Sequence, residues 1–366
     1  MISTSIFPGR YVQGYGAIKK LGSEVARLGK TACLICSPTV YGKLLPGFRE
    51  ELENKVTLMV ETFCGECSNE EIDRLVKLAE KAGGEVVIGM GGGKVIDTAK
   101  AIANKLKMHL VTVPTVASSD APCSALSIIY NREGIMEGVM LHPRNPDVVL
   151  VDTRIIAEAP VRFLVAGMGD ALSTWFEADS CQRKYAANMT FTGDIGSMTG
   201  YALARLCYQM LIQYGLTAKR AVEIHSVIPA VEHIIETNIL LSGLGFESCG
   251  VAAAHGIQIG FTVLKETHNI LHGEIVAFGT LVSLFLTDKS RGIIEEAYSF
   301  CKSVGLPTTL AQIGLLDVTD EALTRVAETA MSPVNPIHNE PVPVTVESIM
   351  MAIKAADYEG RTRQWT

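Results

Sequence analysis

Glu85-Val86-Val87-Ile88-Gly89-Met90-Gly91-Gly92-Gly93-Lys94-Val95-Ile96-Asp97-Thr98-Ala99-Lys100 changes its period part-way through. Its first residues, Glu85–Met90, are a short β-rich run that suits a buried strand. From Lys94 to Asn104 the apolar residues Val95, Ile96, Ala99, Ile102 and Ala103 fall on one helical face. Between the two lie Gly91, Gly92 and Gly93, where bare backbone lets an anion such as a pyrophosphate approach the amides and positive dipole of the coming helix. The spelling is neither G-x-G-x-x-G, because Lys94 takes the sixth place, nor a P-loop, because Val95 follows Gly93-Lys94. A plain tight turn is the alternative, but three glycines in a row are costly to order unless something approaches their backbone.

Further β-rich runs occupy Thr31–Cys36, Val56–Val60, Leu110–Val113 and Val148–Asp152, and Glu70–Ala82 carries a helical stripe of Ile72, Leu75, Val76 and Ala79. Strand and helix in alternation predict an α/β fold with a mostly parallel, Rossmann-like sheet covered on both faces. Ser124–Leu141 departs from this rhythm, with two apolar runs around Asn131-Arg132-Glu133-Gly134 that read as a hairpin. Past Pro160 the strands fade into Val161–Cys181, Met198–Tyr214, Ala218–Leu241, Ser248–Leu264 and Gly273–Thr287, all helical in pattern. The expected division is a dinucleotide-binding α/β domain over 1–160 and an all-α metal-binding domain over 161–366, with the active site in the cleft between them.

Composition narrows the function. The chain has 366 residues, 48% hydrophobic and 19% charged, enough for large cores. A net charge of −7 without any Lys/Arg cluster argues against nucleic acid. The start of the chain lacks the basic and apolar segments of a signal peptide, and the apolar run Ile275–Leu286 falls short of the roughly 20 residues a membrane helix needs. Nine scattered cysteines read as reduced thiols in a cytoplasmic protein; Cys64 and Cys67 form a C-x-x-C without the second pair of a zinc ribbon.

Three residues stand out in the helical half. Asp170 is a lone acid in Val165–Leu172, His255 lies among alanines and glycines, and His272 precedes Gly273-Glu274. A core imidazole is commonly satisfied by backbone, yet together these offer the one-carboxylate, two-imidazole set of a catalytic zinc with an open position. His268 competes but reads as part of a loop, and His225 and His233 sit on solvated faces beside Glu223 and Glu232. In the first half, Thr115, Ser118 and Asp120 lie in a polar loop after an apolar strand, where open α/β sheets carry ligand contacts. Asp97 and Lys100 have the spacing of a surface ion pair, with ligand contact as the equal alternative.

These residues carry a resemblance. The strings Gly91–Lys100, Thr115–Ala125, Gly167–Leu172, Gly245–Ser248, Ala252–His255 and His272–Glu274 resemble glycerol dehydrogenases of the iron-containing, or group III, alcohol dehydrogenase superfamily, over nearly the whole chain. The resemblance implies reversible, NAD-linked oxidation of glycerol and related 1,2-diols. It implies Asp170, His255 and His272 as ligands of zinc, with ferrous iron as the alternative, and Asp120 and Phe246 at the substrate. The implied catalytic set is Asp120, Asp170, His255 and His272. The implied cofactor residues are Ser37, Gly91, Gly92, Gly93, Lys94, Asp97, Thr112, Thr115, Ser118, Ser124, Leu126 and Tyr130. A homo-oligomer, octameric in relatives, and a cytoplasmic setting complete the implication.

Two positions depart from the family pattern. Ser37 stands where an Asp usually bonds the adenosine ribose, so the carboxylate that repels a 2′-phosphate is missing and NADP is admitted beside NAD. Gln258-Ile259 replaces the usual His-Asn after the metal histidine, which alters the pocket. The remaining readings are a group III enzyme acting on another alcohol, aldehyde, hydroxy acid or phosphorylated polyol, and a non-catalytic dinucleotide binder. Ser118–Ser124 holds no Lys, Arg or His for a phosphate, which weighs against the phosphorylated class.

Overall fold

Side-chain alternation along the strands explains how the first part of the chain layers. Ala32, Leu34 and Cys36 join Val86, Ile88 and Met90 in one apolar cluster, while Cys33, Ile35 and Val87 join the opposite one. Period two sends successive residues to opposite faces, so a sheet buried on both sides needs apolar residues throughout. A computed structural model describes Met1–Arg363. Its strands are β1 (Tyr11–Gly14), β2 (Thr31–Cys36), β3 (Thr57–Thr62), β4 (Val86–Gly91), β5 (His109–Pro114), β6 (Leu126–Tyr130), β7 (Met136–Leu141) and β8 (Val148–Asp152). Six of them form one sheet in the order β1-β8-β5-β4-β2-β3, and every pairing in it is parallel. The expected hairpin is β6 against β7, antiparallel.

Helices α1 (Leu21–Ala26) and α2 (Arg49–Glu53) cover one face through Leu21, Val25 and Leu52. Helices α3 (Asn69–Lys81) and α4 (Gly93–Leu106) cover the other through Ile72, Leu75, Ala79, Ala99 and Ile102. Ser68 caps α3 by accepting from the Glu71 amide. The strand order reverses between β2 and β4, so the carboxyl ends of these strands flank a switch point where such sheets bind ligands.

The remaining helices are α5 (Thr153–Glu158), α6 (Val161–Lys184), α7 (Met198–Val222), α8 (Pro229–Glu236), α9 (Ser242–Cys249), α10 (Ala253–Phe261), α11 (His272–Leu286), α12 (Arg291–Val304), α13 (Asp320–Ala330) and α14 (Val346–Thr362). Residues of α10, α11, α13 and α14, including Ile257, Phe261, Phe278, Val326 and Ile353, share one core. No helix among the described residues is long and apolar enough to cross a membrane.

Several expectations are corrected here. The strand β1 escaped notice because it is four residues long and carries Gln13 and Gly14. The continuous helix expected over Ala218–Leu241 ends at Val222, turns through His225 at φ 53, and restarts with Pro229 at its first position. Ser248–Leu264 is likewise broken, at Gly250 with φ +107, a left-handed conformation that favours glycine.

By contacts the chain forms two compact units, Ile6–Pro160 with Ala221–Gly243, and Met1–Ser5 with Val161–Arg220 and Leu244–Thr366. Ala221–Gly243, expected with the second half, therefore joins the first. The reason is polar: Gln13 donates to Glu232 at 3.0 Å, Thr153 donates to the same carboxylate at 2.7 Å, and Asn238 donates to the Ala117 carbonyl at 3.0 Å.

The ion pair of Asp97 and Lys100 is not on the surface. Lys100 is 2% exposed and donates to Asp97 at 3.1 Å, to the Ser124 hydroxyl at 3.0 Å and to the Leu126 carbonyl at 2.8 Å. The second Asp97 oxygen accepts from the Ile128 amide at 3.1 Å. Breaking one side of a buried pair strands the other charge. Asp97→Ala is expected to cost about 3–5 kcal/mol, read as a lower urea midpoint. The double replacement Asp97→Leu with Lys100→Met is expected to recover most of it.

Candidate metal site and glycine-rich turn

Small residues let the metal candidates meet. A Cβ on Gly169 would run into the Gly273 carbonyl, and one on Gly273 would run into the Ala166 carbonyl. The backbones of α6 and α11 thus touch at the point that sets Asp170 beside His272. On α11, a Cβ at Gly279 would lie 2.5 Å from the Ala254 carbonyl, which brings in α10 and His255. One ligand atom from each of Asp170, His255 and His272 then lies within 4.8 Å of the others. Asp170 Oδ1 is 3.5 Å from His255 Nε2 and 3.3 Å from His272 Nε2.

These spacings suit an ion. Four ligands arranged tetrahedrally at about 2.0–2.2 Å stand roughly 3.3–3.6 Å apart. Burial alone would keep both Asp170 and His255 neutral. The imidazoles outweigh this and hold the Asp170 carboxyl well below the usual range, while Glu177 and Asp170 raise the His255 imidazole well above its own. The set therefore stabilises separated charge out of water and would accept a divalent cation in place of imidazole protons. The His272 side chain, 47% exposed, marks the open side.

Sequence reading missed Glu177. Its Oε2 lies 2.6 Å from His255 Nδ1, and its Oε1 accepts from the Ala252 and His255 amides at 2.8 and 2.9 Å. A carboxylate behind a ligating imidazole fixes the ring and leaves Nε2 for the metal. The available signal was its place seven residues after Asp170, two turns along one face of α6. Glu340 accepts from the Ala253 amide at 2.9 Å and gives the α10 start a second carboxylate. Glu274 pairs with Arg162 at 2.7 Å and accepts from the Leu271 amide at 3.0 Å, which pins the start of α11.

The glycine-rich turn sits at the carboxyl end of β4. The bareness of Gly91 is explained by packing, since a Cβ there would meet Val95 at 2.8 Å. Gly92 and Gly93 are different: a Cβ would meet nothing nearer than 3.8 and 4.0 Å. No side chain caps α4 at Gly92. Open space above uncapped amides fits a pyrophosphate. Ser37 lies after β2 and donates its amide to the Met90 carbonyl at 3.3 Å, so the two turns adjoin. The Thr115 amide donates to the Gly91 carbonyl at 3.0 Å.

Other expected cofactor residues are placed variously. Lys94 reaches Glu66 at 2.6 Å and lies 5.0 Å from the Tyr130 ring centre. Thr115 and Ser118 are half-buried in the loop after β5. By contrast Thr112 spends its hydroxyl on the Pro122 carbonyl at 2.8 Å, and Ser124, Leu126 and Asp97 are taken up around Lys100. Asp120 is half-buried and accepts from the Ser242 hydroxyl at 2.6 Å. Phe246 is half-buried on α9. His268 is exposed, as its loop reading implied, with Nε2 3.0 Å from the Thr262 carbonyl. Among the described residues no cysteine takes part in a disulfide.

Comparison with known proteins gives consistent relatives. Residues 8–153 match the family model for iron-containing alcohol dehydrogenase. The chain is 59% identical over 364 residues to a glycerol dehydrogenase of Thermotoga maritima, covering 100% of this chain and 99% of that protein. A crystal structure of a probable glycerol dehydrogenase from Sinorhizobium meliloti aligns with a TM-score of 0.92 at 44% identity, covering 99% of this chain and 100% of that one. Glycerol dehydrogenase from Schizosaccharomyces pombe aligns with a TM-score of 0.94 at 36% identity, over 98% and 91% of the two chains.

Loss of the carboxylate behind His255 should be visible in metal affinity. Glu177→Gln is expected to weaken binding of zinc or cobalt about 10–100-fold, measured by competition with a chelating dye, while His272→Ala removes measurable binding.

Proposed function

The chain belongs to the iron-containing alcohol dehydrogenase family, and from that premise we propose that it is a zinc-dependent dehydrogenase that oxidises glycerol and related 1,2-diols to hydroxyketones, reversibly, with NAD as hydride acceptor. The observation that supports this most is the convergence of Asp170, His255 and His272, one carboxylate and two imidazoles with an open side. A bound divalent ion supplies Lewis acidity towards an alcohol oxygen. The chain's own residues do the rest. Asp170 contributes the negative charge that holds the cation, and Glu177 keeps the His255 ring in the orientation that presents Nε2.

On the cofactor side, the amides at Gly92 and Gly93 receive the pyrophosphate, and Thr115 and Ser118 offer hydroxyl groups along the dinucleotide. Asp120 accepts a hydrogen bond from the hydroxyl next to the one oxidised, which selects diols over simple alcohols. Phe246 contributes an apolar wall for the carbon chain. Nine cysteines without a disulfide among the described residues support a reducing, cytoplasmic setting. The active form is taken to be a homo-oligomer, octameric as in the relatives the resemblance invokes.

The assay is absorbance at 340 nm with glycerol and NAD. Activity is expected to vanish on chelation, to return with zinc, and to be absent in a folded His255→Ala protein; full turnover by that variant after chelation would end the proposal. A second measurement concerns the adenosine end. Ser37→Asp puts a carboxylate where a 2′-phosphate would lie, so the NAD:NADP ratio of kcat/KM is expected to rise about 10-fold or more.

A further inference from the structure

Ser242 is 1% exposed, and its hydroxyl donates to Asp120 Oδ2 at 2.6 Å. Bonds to an ionised acceptor are the short and strong kind. Ser242 opens α9 directly after a π-helical turn, Thr237–Leu241, and its own amide bonds back to the Thr237 carbonyl. Such wide turns are rare and gather at functional sites. The next residue, Gly243, is pressed onto the same loop: a Cβ there would lie 2.8 Å from Cys123 Cβ and 3.5 Å from Asp120 Cβ. One turn earlier, Asn238 donates to the Ala117 carbonyl at 3.0 Å, and the Cys123 amide closes the loop onto the Asp120 carbonyl at 2.9 Å.

The loop bearing Asp120 is thus held at positions 117, 120 and 123, and the hold at 120 is made on the charged side chain itself. We propose that Ser242 is a positioning residue for vicinal-diol recognition, aiming the Asp120 carboxylate at the second hydroxyl of the substrate. This rests on the reading that Asp120 accepts that hydroxyl. Its donated proton fixes the rotation of the carboxylate. A buried serine with a purely structural role would matter equally for any alcohol; a positioning residue matters for the extra hydroxyl alone.

The test compares 1,2-propanediol with 2-propanol, which differ by that hydroxyl, using the full-length zinc-loaded enzyme. For Ser242→Ala the diol to mono-alcohol ratio of kcat/KM is expected to fall about 10–100-fold, the strength of one hydrogen bond to a charged group, mostly through KM for the diol. Ser242→Thr, which keeps the hydroxyl, is expected to stay within about 3-fold of the parent. Asp120→Asn separates the two readings. If it lowers the ratio while Ser242→Ala leaves it unchanged, Asp120 keeps its role and the inference about Ser242 fails. If neither changes the ratio, the reading of Asp120 has failed as well. An equal loss for both alcohols in Ser242→Ala overturns the inference in favour of a structural role. Should the alanine variant not fold by circular dichroism, Ser242→Cys takes its place: its weak donor must lower the ratio where Thr does not.

Discussion

Asp170 is a carboxylate 4% exposed on a largely apolar helix, and positive charge has to answer it. The surroundings follow from that need. Gly169 and Gly273 let two helix backbones touch, which delivers His272. The contact of Gly279 with Ala254 delivers α10, whose amides are met by Glu177 and Glu340. Arg162 and Glu274 tie the first turn of α6 to that of α11, so the ligand-bearing ends of both helices are held at their base. Leaving out any of these contacts would leave the carboxylate in apolar surroundings with less to offset its charge.

The two units handle buried charge in opposite ways. Around Asp97 the protein provides every partner itself: a lysine ammonium, a backbone amide, and a hydroxyl and a carbonyl for the lysine. That network is closed, and it fastens α4 to the start of the β6–β7 hairpin. Around Asp170 the partners are imidazoles, whose lone pairs can serve a cation, and one side faces outward. The same residue type therefore acts as internal fastening in one place and as a ligand in waiting in the other. What separates the cases is the chemistry of the neighbours, not the burial.

Much of this was legible from residues alone. The β-branched runs at Thr31–Cys36 and Val148–Asp152 are strands with those bounds, and the glycine turn opens α4 as its spelling implied. Asp170, His255 and His272 could be picked out because each is a polar residue with no local reason to be there. Glu177 was harder to see, since its reason for being buried is an imidazole 78 positions away in the chain. Asp97 and Lys100 look the same in sequence whether their helix face meets water or the hairpin, and only the tertiary pairing decides. Breaks at Gly250 and before Pro229 were hidden inside apolar stretches whose period continues across them. A return of Ala221–Gly243 to the first unit depends on partners at Gln13, Ala117, Asp120 and Thr153, which no local pattern encodes.

That return has a bearing on how the chain is made. The polypeptide passes between its two units at Ser5/Ile6, Pro160/Val161, Arg220/Ala221 and Gly243/Leu244. A ribosome that has released residues up to Pro160 has released every strand of the sheet, but not the helices that clamp the Ala117–Cys123 loop. The nascent α/β half must wait, with that loop uncovered, for a further stretch of translation to emerge. Severing the gene at the obvious midpoint would consequently yield two incomplete products, neither carrying all the packing it needs.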